Sequence, residues 1–275
     1  MHEWGHFFAA RRSGVKVEEF ALGMGKRLWS TKKGEVEYSL NAVPFGGYVK
    51  MLGEEEESSD PRSFARAKLW KRMVITLAGV VMNFLMTIVF LTILFTVGTN
   101  PILIDEQDVQ RAQAEGVLVL SEPNEEGIRE VLDIQKIKKP FPQSLGFAVT
   151  ESWRISKAVV RKVAEIPVTI IRDQKFPEGV AGPVGIAEIT HKIVPAGFFA
   201  LMKLTALLSL SLAVINLLPI PALDGGRFLF QIIELVTFRR PPEKWENAIH
   251  VAGYILLMAL LVIITWNDIW RLITQ

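Results

Sequence analysis

The stretch that decides the fold is Val74–Val97, which reads VITLAGVVMNFLMTIVFLTILFTV and has no ionisable side chain over 24 residues. A helix needs about 20 consecutive apolar residues to cross a hydrocarbon core about 30 Å thick. Two further apolar runs follow, Ala196–Leu218, with Lys203 near its start, and Ile249–Thr265. The sequence therefore predicts a helical protein that crosses a membrane several times.

Positive charge is unevenly distributed along the chain, although the net charge is only +2. Thirteen Lys and Arg residues fall between Arg11 and Arg72, five of them in the last eleven residues of that segment. Positive charge close to a span favours the cytoplasmic side of the membrane. The segment Gly98–Ile193 carries twelve Lys and Arg over a greater length. We therefore expect it on the opposite side.

The residues His2-Glu3-Trp4-Gly5-His6 form an H-E-x-x-H motif. On a helix, His2 and His6 share a face and can reach one ion. Glu3 can hold a water against that metal without being a ligand, and can accept the proton as the water attacks a peptide carbonyl. Because the chain has no cysteine, any zinc ligands must be histidine or carboxylate. A chance occurrence of the motif is the alternative interpretation.

Catalytic zinc commonly has three protein ligands and one open position. Asp224 is the favoured third ligand, because it ends an apolar run, follows two prolines and precedes two glycines that allow close backbone approach. A charge at membrane depth is usually functional, although a solvated loop aspartate is the alternative. His191 and His250 are rival third ligands. Asn216 can donate to a developing oxyanion, or bond to a neighbouring helix, the commoner role of an isolated asparagine.

A β-hairpin is predicted between residues 35 and 52. From Glu35 to Ala42 apolar and polar residues alternate, which is typical of a half-buried strand with its apolar side inward. Pro44–Tyr48 predicts a turn, and Val49–Leu52 a returning strand.

An amphipathic helix is predicted over Ser152–Ile166. Trp153, Val159 and Val163 lie on one side of it with Ile166, and the cationic residues lie elsewhere. Such a helix can lie on the membrane surface. Packing against the rest of its own segment is an alternative that the sequence leaves open.

Further motifs accompany the zinc motif and extend over nearly the whole chain. They are Val17-Glu18-Glu19-Phe20, Gly23-Met24-Gly25, Val43–Lys50, Ala78-Gly79 with Asn83, Gly182–Ala187, Asn216–Gly226 and Asn267-Asp268-Ile269. With these motifs the chain closely resembles the site-2 protease family of intramembrane zinc metalloproteases, and within it the bacterial regulator-of-sigma-E protease branch. The resemblance implies an α-helical multi-pass transmembrane core with a small membrane-associated β-hairpin.

The resemblance also implies a set of site residues. The zinc ligands would be His2, His6 and Asp224, the cofactor Zn²⁺, and the catalytic glutamate Glu3. Asn216 would act near the substrate.

The hairpin over residues 35–50 matches a membrane-associated β element of the family, whose edge can receive an unwound substrate helix as an added strand. Such unwinding is a physical need, because a helical substrate hides its peptide bonds. The residues expected to bind substrate are Tyr38, Leu40, Gly46, Gly47 and Tyr48.

The chain departs from the family pattern in two places. Family members carry H-E-x-x-H in the cytoplasmic half of a transmembrane helix, whereas this chain begins at the motif; we expect the true start to lie upstream, by roughly 20 residues. Members of the branch usually carry PDZ domains, whereas Gly98–Phe141 offers some 44 residues, too few for a complete PDZ fold. We expect a vestigial or absent PDZ domain, with Gly116–Leu120 as a remnant first strand.

We divide the chain into three parts. Residues 1–97 are the N-terminal half of the protease core, with the zinc-motif helix, the cytoplasmic hairpin loop and the first full span. Residues 98–193 are the extracytoplasmic segment with the amphipathic helix. Residues 194–275 are the C-terminal half of the core, with two spans and the Asp-Gly-Gly motif.

Together these features predict an intramembrane zinc endopeptidase that hydrolyses peptide bonds in or near transmembrane segments, in regulated intramembrane proteolysis. The alternatives are a non-catalytic relative that binds membrane proteins, a truncated inactive fragment and, with least support, a transporter. The expected partners are transmembrane protein substrates, such as anti-sigma factors or remnant signal peptides, and the lipid bilayer, with no nucleic acid. The expected location is the bacterial plasma (inner) membrane, with several passes.

Overall fold

A computed structural model of the protein describes residues 1–54, 58–103, 106–121, 131–173 and 181–274. Parts of the predicted extracytoplasmic segment therefore lie outside the described residues. The elements are mainly helices, with two small antiparallel sheets. In chain order they are α1 His2–Ser13, β1 Val17–Lys33, β2 Val36–Met51, α2 Leu69–Val97, α3 Glu106–Ala114, β3 Leu118–Leu120, β4 Val131–Ile134, α4 Gln143–Asp173, α5 Pro183–Ile193, α6 Phe198–Leu217, α7 Asp224–Thr237 and α8 Glu243–Thr274.

Among the described residues, three helices are long and apolar enough to cross a membrane: Leu69–Val97, Phe198–Leu217 and Lys244–Thr274. Each corresponds to one of the three apolar runs of the sequence, so the predicted fold class is confirmed. The helix in α8 is much longer than the predicted run Ile249–Thr265, because polar and charged residues at both ends continue the helix. Hydropathy locates the apolar centre of a helix and not its ends.

The predicted hairpin was wrong in its turn and in its partner strand. β1 and β2 pair as an antiparallel sheet, with Gly34 in the turn between them at φ 67°. We placed the turn at Pro44–Tyr48, but β2 runs unbroken from Val36 to Met51. The strand Val17–Lys33 was missed because the second half of it is exposed, and such a strand has no buried face to impose a period of two.

The two halves of β2, residues 36–41 and 47–51, have different partners in β1. The first half pairs with residues 27–33 and the second half with residues 17–22. Residues 19–22 also pair with residues 37–40, so this part of the first half is paired on both sides. Within the part of the chain that the structure describes, the second half is paired on one side only.

The buried side of β2 fits the predicted alternation at Val36 and differs from it at residues 39–41. Leu40 is 47% exposed, whereas Ser39 and Asn41 are only 5% and 4% exposed. Hydrogen bonds explain the difference: Ser39 Oγ donates to a carboxylate oxygen of Glu19 at 2.6 Å, and Asn41 Nδ2 donates to the carbonyl oxygen of Gly23 at 3.2 Å. Because these polar groups have partners, their burial is tolerated, and Leu40 between them stays exposed.

The chain divides into two compact units, of which the first comprises Met1–Phe84 and Leu212–Ile263. In this unit α1 packs closely on α2, because Gly5 has no Cβ; one there would lie 2.6 Å from the carbonyl carbon of Ala78. A buried apolar cluster joins α1, the sheet and α2; it includes Phe7, Ala10, Val17, Phe20, Val36, Met51 and Ile75.

The second unit comprises Leu85–Ser211 and Ile264–Gln275. Its α5 begins at Pro183, and the buried carboxylate of Asp268 caps that end by accepting hydrogen bonds from the backbone N–H groups of Gly182 and Gly185, at 2.9 and 2.8 Å. The division of the chain into three parts stays a prediction, because membrane sides and compact units are different properties.

The predicted amphipathic helix is part of α4, which is longer at both ends. Its buried side is formed by Ala148, Ser152 and Ile155, whereas Trp153 is 67% exposed. The packed side mixes Ile155 with small and polar residues, so apolar periodicity does not reveal it. β3 lies within the predicted strand Gly116–Leu120, and it pairs with β4.

Candidate metal centre

α1 places its two histidines on one face, as the motif predicts. His6 is buried, and its Nδ1 lies 2.8 Å from the carbonyl oxygen of Ile75 in α2. A neutral imidazole that offers Nε2 to a metal carries its proton on Nδ1, so Nδ1 of His6 would donate to this carbonyl. This bond orients Nε2 of His6 toward His2, whose Nε2 is 3.2 Å away.

Asp224 completes a group of three possible ligands, identified among the described residues. Its Oδ2 lies 2.9 Å from Nε2 of His2 and 3.3 Å from Nε2 of His6. Tetrahedral zinc with bonds of about 2.0–2.1 Å separates its ligand atoms by about 3.3 Å, so these distances fit one ion. Oδ2 of Asp224 is buried and lies next to both imidazoles. A carboxylate oxygen and two imidazole nitrogens brought together away from water form a donor set that suits zinc.

The loop between α6 and α7 carries Asp224 into this group. α6 ends at Leu217, and Asp224 is the first residue of α7. In the loop, Ala222 adopts φ 73°, a left-handed conformation that is uncommon without glycine. α7 approaches the loop closely, because a Cβ on Gly226 would lie 2.5 Å from the carbonyl oxygen of Ile220. The two glycines after Asp224 thus have the role that the sequence predicted.

Two residues of α2 lie at the site without a role assigned from the sequence. A Cβ on Gly79 would lie 2.7 Å from Cε1 of His2 and closer still to Nε2 of His6. Asn83 is buried, and its amide lies 3.4 Å from Nδ1 of His2. Both belong to a motif that carries the family resemblance, which is the signal that marks them. Hydropathy gives no reason to place them beside metal ligands.

Glu3 shares a cavity with the three ligands. The cavity has a volume of about 480 Å³, and Glu18, Tyr48 and Lys50 of the sheet also line it. Gly47 lies beside the glutamate, because a Cβ there would be in van der Waals contact with Cγ of Glu3, at 3.4 Å. The carboxylate of Glu3 therefore lies where a water or a substrate can meet both it and a bound metal.

Asn216 is brought to the same group of atoms. Near the end of α6 it is buried, and its amide nitrogen lies 3.4 Å from Nε2 of His2. This position fits a donor to a substrate oxygen beside the metal. It equally fits a hydrogen bond that joins α6 to α1, the commoner role for such an amide.

The residues expected to bind substrate fall into two groups. Gly47 and Tyr48 lie at the cavity, and Gly46 precedes them in the exposed part of β2. Tyr38 instead stacks near Phe7 and Phe20, with ring centroids 6.1 and 6.2 Å away. Leu40 is exposed and does not line the cavity.

The rival third ligands lie elsewhere. His191 belongs to α5, and His250 belongs to α8, where its Nδ1 accepts a hydrogen bond from the backbone N–H of Ala222 at 2.9 Å. Within the described residues, the group that fits a metal contains neither. Asp224 therefore has the best geometry for the third ligand.

The fold and this group of residues together define a membrane metalloprotease. The chain belongs to peptidase family M50, whose family model matches residues 1–260. The chain is 32% identical over 318 residues to a candidate zinc metalloprotease of Clostridium perfringens, with 98% of this chain and 94% of that protein covered. It is 24% identical to the regulator of sigma-W protease RasP of Bacillus subtilis, over 98% of this chain and 95% of that protein.

The predicted family and enzyme class are thus confirmed, and Zn²⁺ is the expected cofactor. A second relative called RasP, from Bacillus licheniformis, is named a zinc metalloprotease and is 24% identical, over 98% of this chain and 96% of its own. The alignment with RasP of Bacillus subtilis extends over 401 residues, whereas this chain has 275. That relative therefore contains residues without a counterpart in this chain.

Proposed function

We propose that this protein is an intramembrane zinc endopeptidase, which hydrolyses peptide bonds in or near transmembrane segments of membrane proteins. The observation that carries the proposal is the convergence of His2, His6 and Asp224 at the spacing of zinc ligands, with Glu3 in the same cavity. Membrane-length helices support a membrane substrate, since Asp224 follows one of them closely.

Each residue of the site has a distinct role in this proposal. His2 and His6 through Nε2, and Asp224 through Oδ2, would hold the zinc. When bound, zinc supplies a Lewis acid that activates water near neutral pH and polarises the peptide carbonyl. The carboxylate of Glu3 accepts the proton of the attacking water and passes it to the leaving amine. The amide of Asn216 donates to the carbonyl oxygen as negative charge develops there.

The substrate would bind as an added strand at the free edge of β2. Residues 47–50 are the part of β2 that pairs on one side only, and Tyr48 and Lys50 line the zinc cavity. Main-chain hydrogen bonds from this edge would hold an unwound substrate segment beside Glu3. Tyr38 and Leu40 lie where the strand is paired on both sides, so their part in binding would be through side chains alone.

We place the protein in a bacterial plasma membrane, which it crosses several times. The basic residues before α2 favour a cytoplasmic sheet, and hence a site near the cytoplasmic side. RasP of Bacillus subtilis is named a regulator of sigma-W protease. That name supports membrane-anchored anti-sigma factors as the substrate class. Remnant signal peptides, which likewise offer a transmembrane segment, are a second class.

Glu3→Gln tests this proposal most simply, with Glu18→Gln as a matched control in the same cavity. Because glutamine cannot accept the proton, Glu3→Gln should keep one zinc per chain and lose roughly 10²–10⁴-fold in turnover of a transmembrane substrate. Glu18→Gln should turn over at close to the wild-type rate. Zinc content and product formation are measured on the same purified samples. Wild-type turnover by Glu3→Gln would refute the role of this carboxylate.

A further inference from the structure

The loop that carries Asp224 adopts a conformation that its own sequence does not favour. Ala222 lies at φ 73°, where an L-residue with a Cβ is disfavoured. Such a residue persists only when the surrounding structure holds it in place. The position of Asp224, two residues later, depends on whatever holds this loop.

Two residues of α8 contact the loop from one side. The backbone N–H of Ala222 donates to Nδ1 of His250 at 2.9 Å. One helical turn further on, Gly253 lies against Pro221, so closely that a Cβ there would be 2.5 Å from Cβ of Pro221 and 2.7 Å from its carbonyl oxygen. The loop is therefore held at successive residues, by a hydrogen bond and by close packing.

The imidazole of His250 is itself held in one orientation. Its ring lies 5.7 Å from the ring of Phe230 in α7, and it is half-buried. Among the described residues, its buried Nε2 has no hydrogen-bond partner, and the hydrogen bond from Ala222 to Nδ1 fixes the ring. Nδ1 can accept that bond only as the unprotonated ring nitrogen, which defines the tautomer.

We propose that His250 is a positioning residue, which fixes the loop before α7 and thereby places Asp224 for zinc binding. The inference rests on the proposed role of Asp224 as a zinc ligand. It assigns to His250 an action on the metal through the backbone of Ala222, with no contact to the metal or the substrate. His250 was a rival third ligand on the sequence alone, and the geometry gives it this different task.

The chemistry of the side chain supplies a sharp test. In His250→Asn the amide oxygen Oδ1 occupies about the place of Nδ1 and can accept the same hydrogen bond from Ala222. In His250→Gln the amide lies one carbon farther out, near the place of Nε2, and cannot. Both variants have a polar amide of similar volume, so they differ mainly in where the acceptor lies.

The measurement is zinc affinity of the purified full chain, by competition with a chelator of known affinity, together with turnover of a transmembrane substrate. His250→Gln should weaken zinc binding about tenfold or more, which is the range for groups that support metal ligands, and should lower turnover. His250→Asn should stay within about threefold of the wild type in both. Equal affinity in all three proteins, or equal loss in both variants, would overturn the proposal.

Gly253→Ala is a second test that leaves His250 intact, and Gly146→Ala, in a helix with open space at that position, is its control. Gly253→Ala should weaken zinc binding and the control should not; unchanged affinity in Gly253→Ala counts against the proposal.

Asp224→Ala distinguishes failure of the proposed ligand set from failure of the positioning role. If Asp224→Ala keeps wild-type zinc affinity, the proposed ligand set fails, and the role of His250 fails with it. If Asp224→Ala loses zinc affinity but both His250 variants keep it, only the positioning role of His250 fails.

Discussion

At the scale of single residues, the metal centre is built around a position without a side chain. Gly79 of α2 faces the imidazoles of His2 and His6, and a Cβ there would lie 2.7 Å from Cε1 of His2. Carbon atoms attract at separations of about 3.5–4.0 Å and repel well inside that distance. The two ligands therefore occupy space that only glycine leaves free.

We predict that Gly79→Ala weakens zinc binding about tenfold or more, because the added methyl must displace one imidazole from the ligand position. Zinc affinity is measured by chelator competition on the purified protein. Val81→Ala is the control, since Val81 lies on the same helix and is 51% exposed. The explanation would be wrong if Gly79→Ala bound zinc as tightly as the control.

The proposed ligands could be chosen from the sequence, because the two histidines belong to a local pattern with Glu3 and Asp224 is a charge that ends an apolar run. Gly79 and Asn83 could not be assigned a role in the same way. Their importance arises only when α2 packs against α1, which is a contact between segments far apart in the chain. No local spacing reports such a contact.

At the scale of elements, the sheet of β1 and β2 presents one half-strand to the zinc cavity. Successive N–H groups of a strand point alternately to its two edges, and residues 47–50 pair with β1 on one edge. The other edge offers main-chain groups to an extended segment. A substrate bound there would lie along the cavity that contains Glu3.

We predict that prolines at two successive positions, Tyr48→Pro and Val49→Pro, have different effects. Because successive N–H groups point to opposite edges, one of the two prolines removes an N–H of the free edge, and the other removes an N–H that pairs with β1. The variant that loses the free-edge N–H should keep its zinc and its fold. Its KM for a transmembrane substrate should rise about tenfold, as expected for one lost hydrogen bond. The variant that loses the N–H paired with β1 should have a less stable sheet.

Tyr48→Ala and Val49→Ala are the matched controls, because they remove the same side chains and keep the N–H groups. KM, zinc content and thermal unfolding are compared across all four variants. If both proline variants bind and cleave substrate like their alanine controls, the free edge does not hold the substrate.

The sheet also shows what the sequence could and could not predict at this scale. The alternation from Glu35 to Ala42 correctly indicated a strand. It gave the wrong buried side at residues 39–41, because Ser39 and Asn41 are satisfied by hydrogen bonds to β1, a strand that the sequence did not reveal. Where buried residues are polar and apolar residues are exposed, the hydropathy pattern indicates a strand but not which of its sides is buried.

At the scale of the whole molecule, three apolar runs determined the fold class, and the structure confirms them as membrane-length helices. These helices could be predicted because the bilayer requires about 20 apolar residues in each span. Such a run is visible in the sequence without any knowledge of tertiary contacts. The segment between the first two spans was harder. Its α4 packs through Ala148, Ser152 and Ile155 and leaves Trp153 exposed, an arrangement that depends on neighbours and not on periodicity.

The central claim is that this zinc protease cuts within the membrane. The most direct measurement is the position of the cut, determined by mass spectrometry on a single-span substrate reconstituted with the full chain in lipid vesicles. We predict a cut inside the transmembrane segment or at its edge, with none in the Glu3→Gln sample. Cuts confined to the water-exposed parts of the substrate, or the same products from Glu3→Gln, would contradict the account.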